Sequence, residues 1–308
     1  MLFGNILLAR KKISSYETWV SQTSAADIRW QSVIYGNSLY IAVSIIDATT
    51  YFMTSPDGEA WTLTAPVEDR YWYSVAWNGS LFVAMDAGST GTSQRIATST
   101  NGTTWAFSNT GLAGFFKDIA FGDGLFVAIS SEVRNIITSP DAITWTDRDN
   151  GIVTVGYNAI AYGNGIFVAV GNGVAMTSTD GGLSWVLQSG GSSVFAESIT
   201  FGDGVFVAVG YSGGVTGTAY TTTDGITWTS RTPATINLWE SVAFGDGVFI
   251  AVSSNGTGDM TMKSEDLGVT WVTVANPVNN TWKGVGFGNN KFIAVSETGT
   301  GDRVMTLT

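Results

Sequence analysis

Alternating and continuous apolar runs recur along this chain in a fixed order. The segment SVAFGDGVFIAVS, starting at Ser241, has close copies beginning at Ser32, Ser74, Asp118, Ala159, Ser198 and Gly284. In each copy an apolar–polar alternation leads to a turn rich in Gly, Asp and Asn, followed by a continuous apolar run. That order predicts two strands joined by a tight hairpin. One aromatic marks the same place in every copy, at Tyr35, Trp77, Phe121, Tyr162, Phe201, Phe244 and Phe287. Neighbouring copies lie 39–44 residues apart, the length of one four-stranded blade of a β-propeller.

A second pattern follows each of the first six copies: TSPDGEAW ending at Trp61, TSTNGTTW at Trp105, TSPDAITW at Trp145, TSTDGGLSW at Trp185, TTTDGITW at Trp228 and KSEDLGVTW at Trp271. It predicts a third strand, a turn bearing Asp or Asn, and a fourth strand beginning at the Trp. The seventh copy stops after three strands, at DRVMTLT. Tyr16-Glu17-Thr18-Trp19-Val20 resembles the Thr-Trp strands elsewhere and supplies the missing one. The expected fold is therefore all-β, a seven-bladed propeller with four antiparallel strands per blade. Its ring is closed by the N-terminal strand pairing in the C-terminal blade, which leaves no open sheet edge. The expected organisation is an apolar N-terminal docking segment at 1–13 and a single propeller at 14–308, with blade 7 shared between 14–22 and 282–308.

Composition narrows the function. Of 308 residues, 38 are Gly and only 13% are charged, and the net charge is −11. The one basic run is Arg10-Lys11-Lys12, too little to neutralise nucleic-acid phosphates. No Cys and no His occur, which excludes disulfides, thiolate nucleophiles and the commonest general base and metal ligand. No apolar run is long enough to span a membrane as a helix. In MLFGNILLARKK the positive charge follows the apolar stretch, the reverse of a secretory signal, so synthesis and folding in a cytoplasm are expected.

The six Asp-bearing turns resemble the Asp-box (BNR-like) repeats of sialidase-like and lectin-like propellers. Ser178–Trp185 and Ser264–Trp271 match the spacing Ser-x-Asp-x-Gly-x-Thr-Trp, and the other four are one residue shorter. The resemblance spans nearly the whole chain and implies a propeller, on which enzymes, lectins, receptors and assembly factors are all built. Asp57, Asn101, Asp141, Asp180, Asp224 and Asp266 are read as structural, accepting backbone N–H bonds within their own turns.

Sialidase chemistry would need an arginine triad, a Tyr nucleophile paired with Glu, and an acidic general acid. Here no three arginines share a place in the repeat, and the Arg-Ile-Pro context of that family is missing. Glu197 and Glu240 occupy equivalent positions in adjacent blades, as a retaining glycosidase pair could. The same position elsewhere holds Gln31, Tyr73, Lys117, Asn158 and Lys283, which reads as a mixed polar ring at a channel mouth. Asp123, Asp203 and Asp246 sit in hairpin turns, where Asp tolerates positive φ, so no metal and no cofactor is expected.

Five residues before six of the seven repeat aromatics lies another, at Trp30, Trp72, Phe116, Tyr157, Trp239 and Trp282, while the fifth blade has Ala196 there with Phe195 beside it. Two readings fit them, as wedges packed between blades or as ligand-binding platforms on which sugar rings stack. Polar loops of variable length between the second and third strands suit hydroxyl-rich ligands. Leu2, Phe3, Ile6, Leu7 and Leu8 make the N-terminal segment a candidate for docking into a larger assembly.

The expected function is a non-catalytic binding and structural propeller, a virion component such as a phage tail or fibre. It would contact a host-surface glycan or a neighbouring subunit, with no nucleic acid and no membrane insertion. Two alternatives are a sialidase-like glycoside hydrolase and a cytoplasmic assembly factor resembling the photosystem II assembly propeller. The latter family carries an arginine patch, which this chain lacks.

Overall fold

The computed structural model describes residues 16–45, 51–65, 67–88, 93–131, 136–148 and 156–308. The strands form seven four-stranded antiparallel sheets, the first six ordered from the axis outward as the chain runs. Blade 6 is typical, with strands Trp239–Gly245, Val248–Ser253, Thr261–Ser264 and Val272–Val274. Among the described residues, helix is confined to a single 3-10 turn at Ser189–Ser193.

Blade 7 takes three strands from the C-terminal end and its outermost one, Trp19–Gln22, from the N-terminal end. The register runs Trp19 opposite Leu307 to Gln22 opposite Val304. Trp19 and Tyr16 are buried against Phe292, Ala294, Met305 and Leu307. The expected closure of the ring is observed.

Two features of the repeat explain why blades stack. In six of the seven blades the innermost strand ends in a Gly that lies beneath the repeat aromatic of the next blade, the exception being blade 2, whose strand ends at Trp77. A Cβ on Gly245 would come within 2.1 Å of the Phe287 ring, and one on Gly288 within 2.1 Å of Tyr35. Each of those aromatics in turn packs on the aromatic of its own second strand, as in Phe287–Phe292 at 4.7 Å between centroids. A Gly245→Ala protein should lose about 1–3 kcal/mol by overpacking. Chemical denaturation checks this, and an unchanged midpoint would mean the blade interface yields freely.

The Asp-bearing turns brace the rim. Asp57 Oδ1 accepts N–H bonds from Glu59 at 2.9 Å and Ala60 at 3.0 Å, and the Ser55 hydroxyl donates to it at 2.9 Å. Trp61 Nε1–H donates to the Gly58 carbonyl at 3.0 Å. Asn101, Asp141, Asp180, Asp224 and Asp266 accept in the same way, and the Trp N–H bond recurs at Trp105, Trp185, Trp228 and Trp271 but not at Trp145. These backbone donors hold the Asp57 carboxyl below its ordinary range. At Asp180 burial opposes them but is outweighed by the Ser184 hydroxyl and amide, and the value falls to about 2. In the hairpins Asp123, Asp203 and Asp246 have φ of 46–49°, the positive-φ turn geometry that their sequence context implies.

Candidate axial site

The aromatics Trp30, Trp72, Phe116, Trp239 and Trp282 are 0% exposed, and Tyr157 is 8% exposed. This corrects the reading of these six as stacking platforms, because no ring face is left for a sugar. They are wedges between blades. Trp30 packs on Tyr40 and Met53 of blade 1 and on Ile293 and Val295 of blade 7. Trp239 packs on Val207 and Val209 of blade 5 and on Phe249 and Met262 of blade 6. The indole N–H groups turn inward as well: Trp30 donates to the Ala26 carbonyl at 3.1 Å and Trp72 to that of Glu68 at 3.1 Å. Trp239 donates to the Thr235 carbonyl at 3.3 Å, whereas the buried Trp282 Nε1–H has no acceptor among the described residues.

The polar side chains one residue further on do converge. Gln31, Tyr73, Lys117, Asn158, Glu197, Glu240 and Lys283 line one cavity of about 200 Å³, joined by Tyr211 from the second strand of blade 5. A bulge explains the split. In six blades the strand register shifts between the wedge residue and the residue two positions on, as between Trp30 and Ser32 or Trp239 and Ser241. Alternation is broken at that point, so Gln31 and Ser32 both face the cavity while Trp30 and Val33 are buried.

Charge is distributed unevenly around the ring. The acids come from blades 5 and 6, and a lysine stands on either side, from blades 3 and 7. Lys283 Nζ pairs with Glu240 Oε1 at 3.0 Å. Asn158 Nδ2 donates to Glu197 Oε1 at 3.1 Å and to the Ala196 carbonyl at 3.0 Å. Lys117 Nζ reaches Asn158 Oδ1 at 3.4 Å. Burial pushes the Glu197 carboxyl up; Lys117 pulls it down, Glu240 pushes it further up and Lys283 pulls it down. Burial, then Glu240 and Glu197, also raises the Tyr211 hydroxyl. Glu197 thus accepts from a neutral amide beside a second acid, with Lys117 and Lys283 near enough to act on its charge.

Beneath the ring lies Asp118, which sequence reasoning overlooked because its repeat position holds Ser, Ala or Gly in the other blades. Ser74 Oγ donates to it at 2.6 Å, Ile119 N at 2.9 Å and, across the blade boundary, Ile160 N at 2.9 Å. Ser198 and Ser241 bridge blades in the same way, accepting from Val242 N at 3.1 Å and Val285 N at 3.2 Å. Burial pushes the Asp118 carboxyl up to about 6 against the pull of its three donors. Because this value lies above the unfolded one, the stabilising contribution is full below about pH 4 and is lost as pH rises through about 6. Asp118 by itself should therefore account for a loss of up to about 3 kcal/mol across that window. Asp118→Asn should show a flatter profile, and identical profiles would contradict the assignment.

No family model and no curated protein sequence matches the chain. Solved structures do. A YCF48 structure described as bound to D1 peptide is similar at a TM-score of 0.71 and 16% identity, covering 95% of each chain. YCF48 from Cyanidioschyzon merolae is similar at 0.67 and 14%, covering 94% of this chain and 98% of that one. Virginiamycin B lyase from Staphylococcus aureus is similar at 0.75 and 12%, again covering 94% and 98%. This chain is a seven-bladed propeller. The neighbours share that fold, and identities this low carry nothing beyond it.

The described arginines are not gathered into one patch. Arg29 pairs with Glu297 at 3.0 Å, Arg95 with Glu68, and Arg303 approaches Asp27 at 3.7 Å. Arg148 and Arg231 donate to threonine hydroxyls of their own blades. Leu2, Phe3, Ile6, Leu7 and Leu8 lie outside the described residues.

Proposed function

We propose that this chain is a non-catalytic binding propeller, a structural component of a larger particle such as a phage tail or fibre. It grips a neighbouring polypeptide at the axial cavity. The observation that carries the reading is the ring itself: seven equivalent positions lining one cavity with both signs of charge and with amide and phenol groups. Such a ring hydrogen-bonds a peptide carrying Lys, Arg or a free amino group, with the cation beside Glu197 and Glu240. Burial of Trp30, Trp72, Trp239 and Trp282 takes away the main support for a glycan ligand. That one structural neighbour is described as bound to a peptide favours a polypeptide partner.

The non-catalytic reading is supported by Glu240, whose carboxylate is tied to Lys283 where a nucleophile would be needed. The resemblance of the six turns to Asp boxes belongs to the same reading, since those turns sit at the rim and not at the axis. The particle assignment rests on the low-charge, Gly-rich composition without Cys or His. Mass spectrometry of particles purified from the source tests it. The protein is expected at a fixed ratio to the other particle subunits. Recovery only in the soluble fraction, or hydrolysis of model glycosides by the pure protein, would overturn the proposal.

A further inference from the structure

The axial ring holds its charges in two different states. Lys283 of blade 7 and Glu240 of blade 6 are closed on each other at 3.0 Å. Lys117 of blade 3 and Glu197 of blade 5 make no ion pair among the described residues. Each instead reaches the Asn158 side chain of the blade between them. Lys117 Nζ donates to Asn158 Oδ1 at 3.4 Å, and Glu197 Oε1 accepts from Asn158 Nδ2 at 3.1 Å. The lysine contact is long for an N–H···O bond, so the ammonium is only loosely engaged. One planar amide therefore separates an unpaired cation from an unpaired anion on the wall of a cavity of about 200 Å³. Two phenols there are also unspent. The Tyr73 and Tyr211 hydroxyls line the same cavity and have no hydrogen-bond partner among the described residues. Burial raises both, so each is a neutral group able to donate and to accept.

The formal charges of the seven ring positions cancel, two lysines against two glutamates. Asp118, deeper in the cavity, is engaged with Ser74 Oγ and the Ile119 and Ile160 amides. A purely basic segment would bring like charge to Lys117 and Lys283, and a purely acidic one would bring it to Glu197 and Glu240. Like charges set against each other at a binding surface cost affinity. A ligand carrying both signs answers Lys117 and Glu197 at once. In an extended chain, side chains two residues apart share a face and lie about 7 Å apart. That spacing is comparable with one amide and a contact on either side of it, the distance at which Asn158 holds the two unpaired groups.

We infer that the segment gripped by the axial cavity is zwitterionic, an extended stretch with a Lys or Arg set on Glu197 and an Asp or Glu two residues away set on Lys117. Its backbone amides and carbonyls meet the Tyr73 and Tyr211 hydroxyls. The inference rests on the reading of the cavity as a polypeptide site and adds to it an acid in the partner, which that reading by itself does not require. Lys117 is then the group that selects for the acid, and Glu197 the group that selects for the base.

The test is a double-mutant cycle between partner and protein. A random heptapeptide library is selected on the immobilised full-length chain, and the enriched peptides are expected to carry a base and an acid two residues apart. The strongest is synthesised with both ends blocked, alongside a version in which its acid is replaced by the corresponding amide. On the wild type and on Lys117→Arg the amide version should bind at least tenfold more weakly. On Lys117→Gln the two versions should differ less than twofold. The same cycle run on the peptide's base with Glu197→Gln should give the same pattern. Peptides enriched in bases with acids at random frequency, or an equal loss on the wild type and on Lys117→Gln, would overturn the inference and leave the polypeptide site standing. No enriched peptide at all would overturn both. Thermal melts of each variant separate a lost contact from a lost fold.

Discussion

Deleting residues 1–22 should abolish cooperative folding at ordinary temperature, and deleting residues 1–15, which keeps Tyr16 and the closing strand, should cost far less. The difference is the strand Trp19–Gln22 with Tyr16, which completes blade 7. Its removal takes Trp19 and Tyr16 out of a core where they are 2% and 4% exposed. It also leaves the strand Val304–Leu307 with one hydrogen-bonding edge unpaired. Losing a buried aromatic costs about 3–5 kcal/mol, so two of them approach the whole 5–15 kcal/mol margin of a typical fold. Trp19→Ala alone should give an intermediate loss. Thermal melts of the three proteins check this, and equal midpoints for the two truncations would mean that the ring closes some other way.

Trp239→Ala should lower stability by about 3–5 kcal/mol, on the order of 10 °C in melting temperature. The indole fills the space between blades 5 and 6, with Val207, Val209 and Ala219 on one side and Phe249, Ala251 and Met262 on the other. The surrounding strands are held by their own ladders, so the vacated volume cannot close. Trp239→Phe, which keeps most of the apolar contact, should cost less. A protein that kept its melt but lost a ligand would return Trp239 to the surface role that its burial denies it.

The fold was legible because the repeat is dense in turn and strand signals. The Gly-Asp-Gly hairpins, the Thr-Trp strands and the orphan strand at Tyr16–Val20 each had one structural solution. The polar ring was legible too, since Glu197, Glu240, Lys117 and Lys283 share one place in the repeat. The direction of the aromatics was not. Strand parity assigns faces only while alternation holds, and the bulge between Trp72 and Ser74, repeated in five other blades, interrupts it just there. Trp72 therefore turns into the blade interface although its neighbour Tyr73 lines the cavity. Tyr211 escaped notice because it reaches the axis from the end of a second strand, outside the repeated motif. Asp118 escaped it because its place in the repeat holds Ser, Ala or Gly in the other blades, and its burial cannot be read from the sequence.

The axial cavity as a polypeptide-binding site is the centre of this account. The most direct test is selection of a random peptide library on the immobilised protein, with the Glu197→Gln/Glu240→Gln variant as counter-screen and a glycan array run in parallel. The account predicts peptides enriched in Lys, Arg or an unblocked amino terminus, retained by the wild type and released by the variant. Binding confined to glycans, or peptides held equally by both proteins, would contradict it.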